Sequence, residues 1–167
     1  MKSVKNKKVL CIIGMEKKLE QSIYETTGIP PENILVLKSV HSDISQPYGE
    51  LMRAIITLVY REKVDEILIV RSNNEQVINE AVVYNLRSKD QVLNERMNTL
   101  DYLFQNCNPE FSSRNINEWL AGSKTNTEGI QKSVRLIRRH PLIPTHVKVC
   151  GFLLDTDHAR LTEIDVT

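Results

Sequence analysis

Two short polar segments carry most of the side chains in this sequence that could do chemistry. Gly14-Met-Glu-Lys-Lys18 and Arg71-Ser-Asn-Asn-Glu75 each combine a carboxylate with a cation. Such a pair can exchange a proton with a ligand or bind a small charged molecule. Three residues are candidate catalytic groups: Glu16, Lys18 and Glu75. Five are candidate ligand-binding groups: Gly14, Lys38, Arg71, Ser72 and Asn73.

Both segments directly follow runs that are typical of buried strands. Lys8-Val-Leu-Cys-Ile-Ile13 precedes the first segment and Glu66-Ile-Leu-Ile-Val70 precedes the second. Short, continuous apolar runs favour a parallel sheet that is covered on both faces. In such sheets, ligands bind beyond the carboxyl ends of the strands, where the strand order reverses. We therefore expect the two segments to meet and to form any small-molecule site.

The remaining sequence predicts alternating strands and helices. Further strands are expected at 34–38, 147–154 and 160–165, the last one antiparallel and at an edge. Three helices are expected at 15–25, 75–86 and 91–104. A fourth is expected from an N-cap at Ser45 to Glu62, and a fifth from a capping box formed by Thr125 and Glu128 to Pro141. The predicted fold is α/β: one domain, 1–167, with a three-layer sandwich around a mostly parallel four-stranded sheet plus an antiparallel C-terminal edge strand.

The two segments leave several kinds of ligand open. Glu16 and Glu75, with Asn73 or Asn74, offer the oxygen donors that Mg²⁺ and Mn²⁺ prefer. Lys18, Lys38 and Arg71 follow strands, so they could instead bind bicarbonate, phosphate or a carboxylate without a metal. The plain alternative is that all of them are hydrophilic loop residues.

Composition excludes several classes of function. The chain has 167 residues, 41% of them hydrophobic and 26% charged, as in an ordinary globular protein. A formal net charge of +1 does not indicate nucleic acid or a membrane surface as a partner, and Lys2 and Lys5 belong to a basic run that we interpret as a solvated terminus. The sequence has no apolar run of the roughly 20 residues that a membrane span needs.

Cysteines and histidines give no separate site. Cys11 and Cys150 lie in apolar strands and predict core thiols, and three cysteines, with Cys107, suit a reducing compartment, so we expect a cytoplasmic protein. His41 alone is a weak metal ligand, and solvated or capping roles are expected for His140, His146 and His158. Trp119 and Phe111 predict packing in the core or at a subunit interface.

The order of elements and the C-terminal segment resemble those of the β-class carbonic anhydrases. The ending Val149-Cys-Gly-Phe-Leu-Leu-Asp-Thr-Asp-His-Ala-Arg-Leu161 follows that family's V-x-G-x-x-Y-D-x-x-x-G-x-L hairpin. Gly14-Met-Glu-Lys-Lys-Leu19 stands where the family has C-M-D-S-R-L, Lys38-Ser-Val follows the second strand where the family has R-N-A-G, and Arg71-Ser-Asn-Asn-Glu-Gln76 replaces its G-H-x-x-C-G motif. The resemblance spans roughly residues 8–164.

The resemblance implies a zinc site whose ligands this sequence lacks. The family's two cysteine ligands fall on Gly14 and Glu75, and its histidine ligand falls on Ser72. The family's aspartate and arginine pair falls on Glu16 and Lys18, so the charge types persist there. Zinc generates the hydroxide for CO2 hydration by lowering the pKa of bound water to about 7. We therefore expect no zinc and little or no CO2 hydration.

Two functions follow as hypotheses. The first is a carbonic-anhydrase-like pseudoenzyme without zinc, retained for binding a small anion or for a regulatory role, and homodimeric by resemblance to the family. The second is an enzyme that acts on bicarbonate or another small anion through Glu16, Lys18 and Glu75, with or without an oxygen-ligated metal.

Overall fold

The structure is a computed structural model that describes residues 6–41, 43–106 and 115–167. Lys2, Lys5, Cys107 and Phe111 lie outside these described residues. The chain forms two compact units, the first comprising Met1–Asn73 and Asn126–Thr167 and the second Asn74–Thr125.

The elements run in the following order along the chain: β1 (Val9–Ile13), α1 (Leu19–Thr27), β2 (Ile34–Lys38), α2 (Glu50–Glu62), β3 (Glu66–Ser72), α3 (Glu75–Ser88), α4 (Gln91–Asn106), α5 (Ile116–Ala121), α6 (Asn126–Arg139), β4 (Lys148–Asp155) and β5 (Arg160–Ile164). A short 3-10 helix, Pro31–Asn33, precedes β2. Three helices, α3 to α5, make up the second unit.

The first unit is built on one five-stranded sheet in the order β2-β1-β3-β4-β5. Neighbouring strands from β2 to β4 are parallel, and β5 is antiparallel to β4 at the edge. The chain moves from β1 to β2 on one side and to β3 on the other, so the strand order reverses at β1. The predicted α/β fold, with a mostly parallel sheet and an antiparallel C-terminal edge strand, is confirmed.

Helices cover both faces of the sheet because each strand alternates its side chains between two apolar cores. Met52 and Ile55 of α2 pack with Ile130 and Val134 of α6 against one face. A Cβ on Gly151 would collide with the Ile130 side chain, so this glycine lets α6 lie close to β4. The other face carries the core around Ile23 of α1.

Three predicted boundaries are wrong for identifiable reasons. β3 continues to Ser72 because Arg71 and Ser72 pair with Leu153 and Leu154 of β4, although their polarity favoured a loop. Helix α1 begins only at Leu19, since Lys18 has a left-handed backbone with φ 69°. The N-cap of α2 is Gly49 rather than Ser45.

The described strands and helices of the second unit are all helices, α3 to α5. Asn115 caps α5 by accepting a hydrogen bond from the Glu118 amide at 2.8 Å. Arg87 of α3 donates to the side-chain oxygens of Asn98 at 2.8 Å and Asn117 at 3.0 Å, which joins the three helices. Trp119 is 54% exposed, and its ring meets that of Phe104 edge-on, so its predicted burial in a core is wrong and the subunit-interface alternative stays a prediction.

Within the described ranges, no helix combines the length and the apolar character needed to cross a membrane.

Candidate functional site

The candidate site of the first unit lies where β1 and β3 end side by side. Gly14 follows β1 directly and is buried, and Ser72 is the last residue of β3 and is fully buried. The strands are parallel neighbours, with Ile12 of β1 opposite Ile69 of β3, so their carboxyl ends open toward the same edge of the sheet. This is the place that the sequence predicted for a ligand.

A hydrogen bond joins the two loops that follow these strands. The Ser72 hydroxyl donates its proton to the Glu16 carboxylate, which is partly buried. Ser72 faces the α1 side of the sheet together with Leu68 and Val70, because alternate residues of a strand share a face. The bond fixes the direction of the Glu16 side chain. Glu16 and Ser72 are thus the pair of predicted site residues that the structure brings together.

Lys18 shares the β1–α1 turn with Glu16. The Leu19 amide donates to the Glu16 carbonyl at 3.4 Å, and Lys18 is the left-handed residue of this turn. The Lys18 carbonyl accepts hydrogen bonds from both the amide and the hydroxyl of Ser22 at 3.0 Å, which ties the turn to α1. Its side chain is exposed, and it forms no ion pair with any described residue. The turn therefore presents the carboxylate of Glu16 and the exposed ammonium groups of Lys17 and Lys18.

Lys38, the last residue of β2, is paired with a carboxylate of α1. Its ammonium group lies 2.7 Å from Glu20, and the Tyr24 hydroxyl donates to the same carboxylate at 3.0 Å. The hydrogen bond from Lys38, with a smaller contribution from that of Tyr24, holds the pKa of Glu20 below its ordinary value. The positive charge of Lys38 is thus largely balanced within the protein.

Arg71 lies on the opposite face of the sheet from Ser72. Its guanidinium group is fully buried and forms an ion pair with Asp43 beneath α6. A Cβ on Gly129 of α6 would collide with the ends of both side chains of the pair, so a larger residue there would displace the ion pair. Arg71 therefore binds the β2–α2 loop rather than the edge beside Glu16.

Asn73 joins the end of β3 to the β4–β5 turn. Its amide donates to the Leu154 carbonyl at 3.0 Å, and its side-chain oxygen accepts from the Thr156 hydroxyl at 3.2 Å. Its own carbonyl accepts from the Asn126 side chain at 3.3 Å. These bonds give Asn73 a structural role at the start of the segment that follows Ser72.

Glu75 belongs to the second unit, whereas the other predicted catalytic residues belong to the first. It is a buried residue in the first turn of α3, where the partial positive charge of a helix N-terminus favours a carboxylate. Across the described ranges, no group of three histidine, cysteine or acidic side chains is arranged to hold a metal ion.

The donor set does not fit zinc. Zinc is held in proteins by thiolate, imidazole and carboxylate groups at close range. Gly14 has no side chain, and the neutral hydroxyl of Ser72 donates a hydrogen bond to the Glu16 carboxylate. Of the three positions where the family is expected to have its zinc ligands, Gly14, Ser72 and Glu75, only Glu75 has a side chain that commonly binds zinc. A single ligand does not form a zinc site.

The predictions that Cys11 and Cys150 are core thiols are confirmed. Cys11 is fully buried in β1 and Cys150 is 3% exposed in β4, and both belong to the core on the α1 side. Burial, together with the negative charge of Glu20, raises the pKa of Cys11 to about 12, so its thiol stays protonated. A protonated buried thiol is neither a nucleophile nor a metal ligand.

One histidine prediction is wrong. His140 was expected to be solvated or capping, but it is 4% exposed. Its Nδ1 accepts from the Leu142 amide at 3.2 Å, so the proton lies on Nε2, which donates to the Pro47 carbonyl at 2.9 Å. His146 and His158 are exposed, as predicted, and His158 pairs with Asp155 at 2.9 Å.

Sequence reasoning missed Asp43 and Gly129, which enclose Arg71. Both residues lie far from Arg71 in the sequence, so no local pattern predicted the contact. It depends on the packing of α6 over β3. The single available sign was Gly129 within an otherwise regular helical pattern, which often marks close packing.

Known proteins resemble this chain in sequence. No family model matches it. YbcF of Bacillus subtilis strain 168, named for its likeness to carbonic anhydrases, is 40% identical over 150 residues, which cover 90% of this chain and 82% of that protein. YtiB of the same organism, named as a candidate carbonic anhydrase, is 21% identical over 159 residues, covering 93% of this chain and 80% of that protein.

Solved structures share the fold. The β-carbonic anhydrase isoform I of Trichomonas vaginalis superimposes with a TM-score of 0.67 at 18% identity, covering 95% of this chain and 82% of that one. An apo form of a carbon disulfide hydrolase superimposes with a TM-score of 0.65 at 17% identity, covering 96% and 79%. With its sequence relative at 40% identity, the chain belongs to the family of carbonic anhydrase-like proteins, and it has the fold of the β-class carbonic anhydrases.

Proposed function

We propose that this chain is a member of the carbonic anhydrase family that does not use zinc, does not hydrate CO2 and is retained to bind a small anion such as bicarbonate. The hydrogen bond from Ser72 to Glu16 is the observation that carries the proposal. At the position where the family places its histidine ligand, this chain has a short hydroxyl group. That hydroxyl donates to a neighbouring carboxylate instead of facing a metal.

Anion binding is supported by Lys18. Its ammonium group is exposed in the turn beside Glu16 and has no carboxylate partner within the described residues. Lys38 and Arg71, by contrast, are paired with Glu20 and Asp43. An anion at the β1–β3 edge would therefore be held by Lys18 and the neighbouring exposed Lys17, with backbone amides of the turn as further donors.

Hydration assays test the catalytic half of this proposal. Stopped-flow CO2 hydration is measured with purified protein incubated with excess zinc, and with an authentic β-carbonic anhydrase as the control for the assay. We expect no rate above that of the buffer. A zinc-dependent rate that disappears when the metal is chelated would contradict the proposal.

A second candidate function is catalysis on bicarbonate or another small anionic substrate. It is favoured by the same pair, because a carboxylate oriented by a buried hydroxyl can act as a general base. Glu16 would accept the proton and Lys18 would hold the anion. Turnover of a small anionic substrate that is lost in Glu16→Gln would favour this function over simple binding.

We also propose a cytoplasmic homodimer. The odd number of cysteines suits a reducing compartment. Among the structures with this fold are two tetrameric β-carbonic anhydrases of Sordaria macrospora, one of which superimposes with a TM-score of 0.57 at 13% identity. Light scattering coupled to size-exclusion chromatography tests the assembly, and a monomeric mass at micromolar concentration would contradict it.

A further inference from the structure

We propose that two copies of this chain dimerise through the outward face of α3, with the two helices packed antiparallel about a twofold axis. This inference rests on the proposed homodimer and names the surface that forms it. Three features of α3 support it: its exposed apolar residues, their lack of charge and the small residue among them.

Exposed apolar side chains are concentrated in the second unit. Most of the large apolar residues that are exposed in the described ranges belong to it, although it is the smaller unit. On α3, Val77 is 69% exposed, and Ile78 and Val82 are about half exposed. Because contiguous apolar patches on a protein surface usually mark an interaction site, we expect a protein partner on this helix.

The exposed apolar residues form one continuous surface along α3. Residues four apart are neighbours on a helix, so positions 77 and 81 form one row and positions 78 and 82 form a second row beside it. Asn79 is buried and Val83 is partly buried, on the side of the helix that packs against α4 and α5. The two rows therefore face away from the second unit. We call this surface the α3 strip; it consists of Val77, Ile78, Ala81 and Val82.

The α3 strip suits a copy of itself because it is uncharged. A contact between identical faces brings like residues together, so a charged face would repel its own copy. The charged residues of α3 all lie outside the strip: Glu75 is buried, Glu80 accepts a hydrogen bond from Gln76, and Arg87 is bonded to α4 and α5 of its own unit. A strongly charged partner would find no countercharge here, whereas a second copy offers an equally apolar surface.

The two rows also fit an antiparallel copy. A twofold axis at the middle of the strip places each row on its counterpart, so Ile78 of each copy lies opposite Val82 of the other. In the second row, the two Ala81 residues lie next to each other across the axis. Their small side chains let the helix axes approach to about 8 Å, the short end of the usual range. The opposed helix dipoles favour the antiparallel direction.

Light scattering coupled to size-exclusion chromatography of the full chain, at micromolar concentration, tests this surface. We expect the mass of two chains for the unchanged protein. Ala81→Glu and Ala81→Lys should each give the mass of one chain, because each places like charges across the axis. An equimolar mixture of these two variants should regain the mass of two chains, since a carboxylate of one copy then meets an ammonium group of the other.

A matched pair of valine variants provides the control. Val77→Glu, within the α3 strip, should give the mass of one chain. Val40→Glu changes a similarly exposed valine of the first unit and should keep the mass of two chains. Circular dichroism verifies that the variants are folded, which we expect because all three positions are exposed.

The outcomes separate the surface from the assembly. The mass of one chain for the unchanged protein would overturn the homodimer and the inference with it. The mass of two chains in folded Ala81→Glu, Ala81→Lys and Val77→Glu proteins would overturn the inference and leave the homodimer standing on another surface. A mixture of the two Ala81 variants that stays monomeric would also overturn the twofold arrangement. Loss of the dimer in Val40→Glu would show that the α3 strip is not the surface that decides assembly.

Discussion

Arg71 and Asp43 form a buried ion pair on one face of the sheet, while the next residue, Ser72, meets Glu16 on the other. Two adjacent residues of β3 thus fix two different loops. One contact ties the β2–α2 loop beneath α6, and the other ties the turn after β1. The polar residues at the end of β3 therefore hold two loops in place, and Ser72 is also part of the candidate site.

Removing the negative charge of the buried pair should destabilise the first unit. In Asp43→Asn the size of the side chain is kept, but the fully buried charge of Arg71 loses its ion-pair partner. We expect the free energy of unfolding to fall by about 3 kcal/mol, measured by urea denaturation. Asp157→Asn, on an exposed turn, is the control and should change it little. A loss below about 1 kcal/mol in Asp43→Asn would show that the pair does not stabilise the fold.

A side chain at Gly129 should disturb the Arg71–Asp43 ion pair. An alanine would normally favour a helix by about 1 kcal/mol over glycine. Here its Cβ would collide with Arg71 and Asp43, so Gly129→Ala should instead destabilise the protein, by roughly 2 kcal/mol in the same denaturation experiment. Thr127→Ala, on the exposed face of α6, provides the comparison. Increased stability in Gly129→Ala would mean that α6 can move away from β3.

The sequence was sufficient for most of the sheet and for little of the site. Continuous apolar runs predicted β1 to β4, because strands buried on both faces need apolar residues throughout. The same rule ended β3 too early, since Arg71 and Ser72 are polar yet lie within it. Arg71 can be buried there because Asp43 pairs with it. Such long-range pairing has no signature in a local pattern.

Near α2, the residues that favour the start of a helix lie before the residue at which the helix begins. Ser45 has the side chain of a helix cap, and Pro47 suits the first turn of a helix. The structure uses Pro47 in a turn instead, with the Gly49 amide bonded to the Gln46 carbonyl at 3.4 Å. The burial of His140 against the Pro47 carbonyl depends on this turn, so one wrong helix boundary also hid a buried histidine.

Because Lys18 has a left-handed backbone, replacing it with glycine should affect stability and anion binding in different ways. This conformation costs a non-glycine residue roughly 1 kcal/mol, and glycine avoids that cost. Lys18→Gly should therefore leave thermal stability unchanged or slightly higher, while anion binding weakens because the ammonium group is gone. Lys17→Gly, in the same turn, should lower stability slightly, because Lys17 does not have a positive φ and glycine only adds freedom to the unfolded chain. A clear loss of stability in Lys18→Gly would contradict the assigned backbone strain.

The pair of Glu20 and Lys38 should make stability depend on pH in the acid range. The pKa of Glu20 is lowered in the folded protein by the hydrogen bond from Lys38. Its contribution is therefore fully present above the ordinary pKa of about 4.5 and is lost as the pH falls through the lower folded value. Glu20→Gln should reduce stability at pH 7 by at most about 1 kcal/mol, because the pair is partly exposed. The difference from the unchanged protein should shrink as the pH falls below about 4.5, and a difference that grows with acidity would contradict the assignment.

The Cys11 thiol should react only when the protein unfolds. It is fully buried, and its pKa of about 12 leaves almost no thiolate at pH 8. Iodoacetamide labelling followed by peptide mass spectrometry should show Cys11 unmodified in the native protein and modified in denaturant. Labelling of Cys11 at the same rate in both conditions would show that β1 is not buried as described.

The absence of a zinc site is the claim on which the proposed function depends most. The most direct test is to incubate the protein with zinc, desalt it, and measure by elemental mass spectrometry how much zinc remains bound per chain. An authentic β-class carbonic anhydrase, treated in the same way, serves as the comparison. We expect far less than one zinc per chain in the unchanged protein and about one per chain in the comparison enzyme. One zinc retained per unchanged chain would contradict the account.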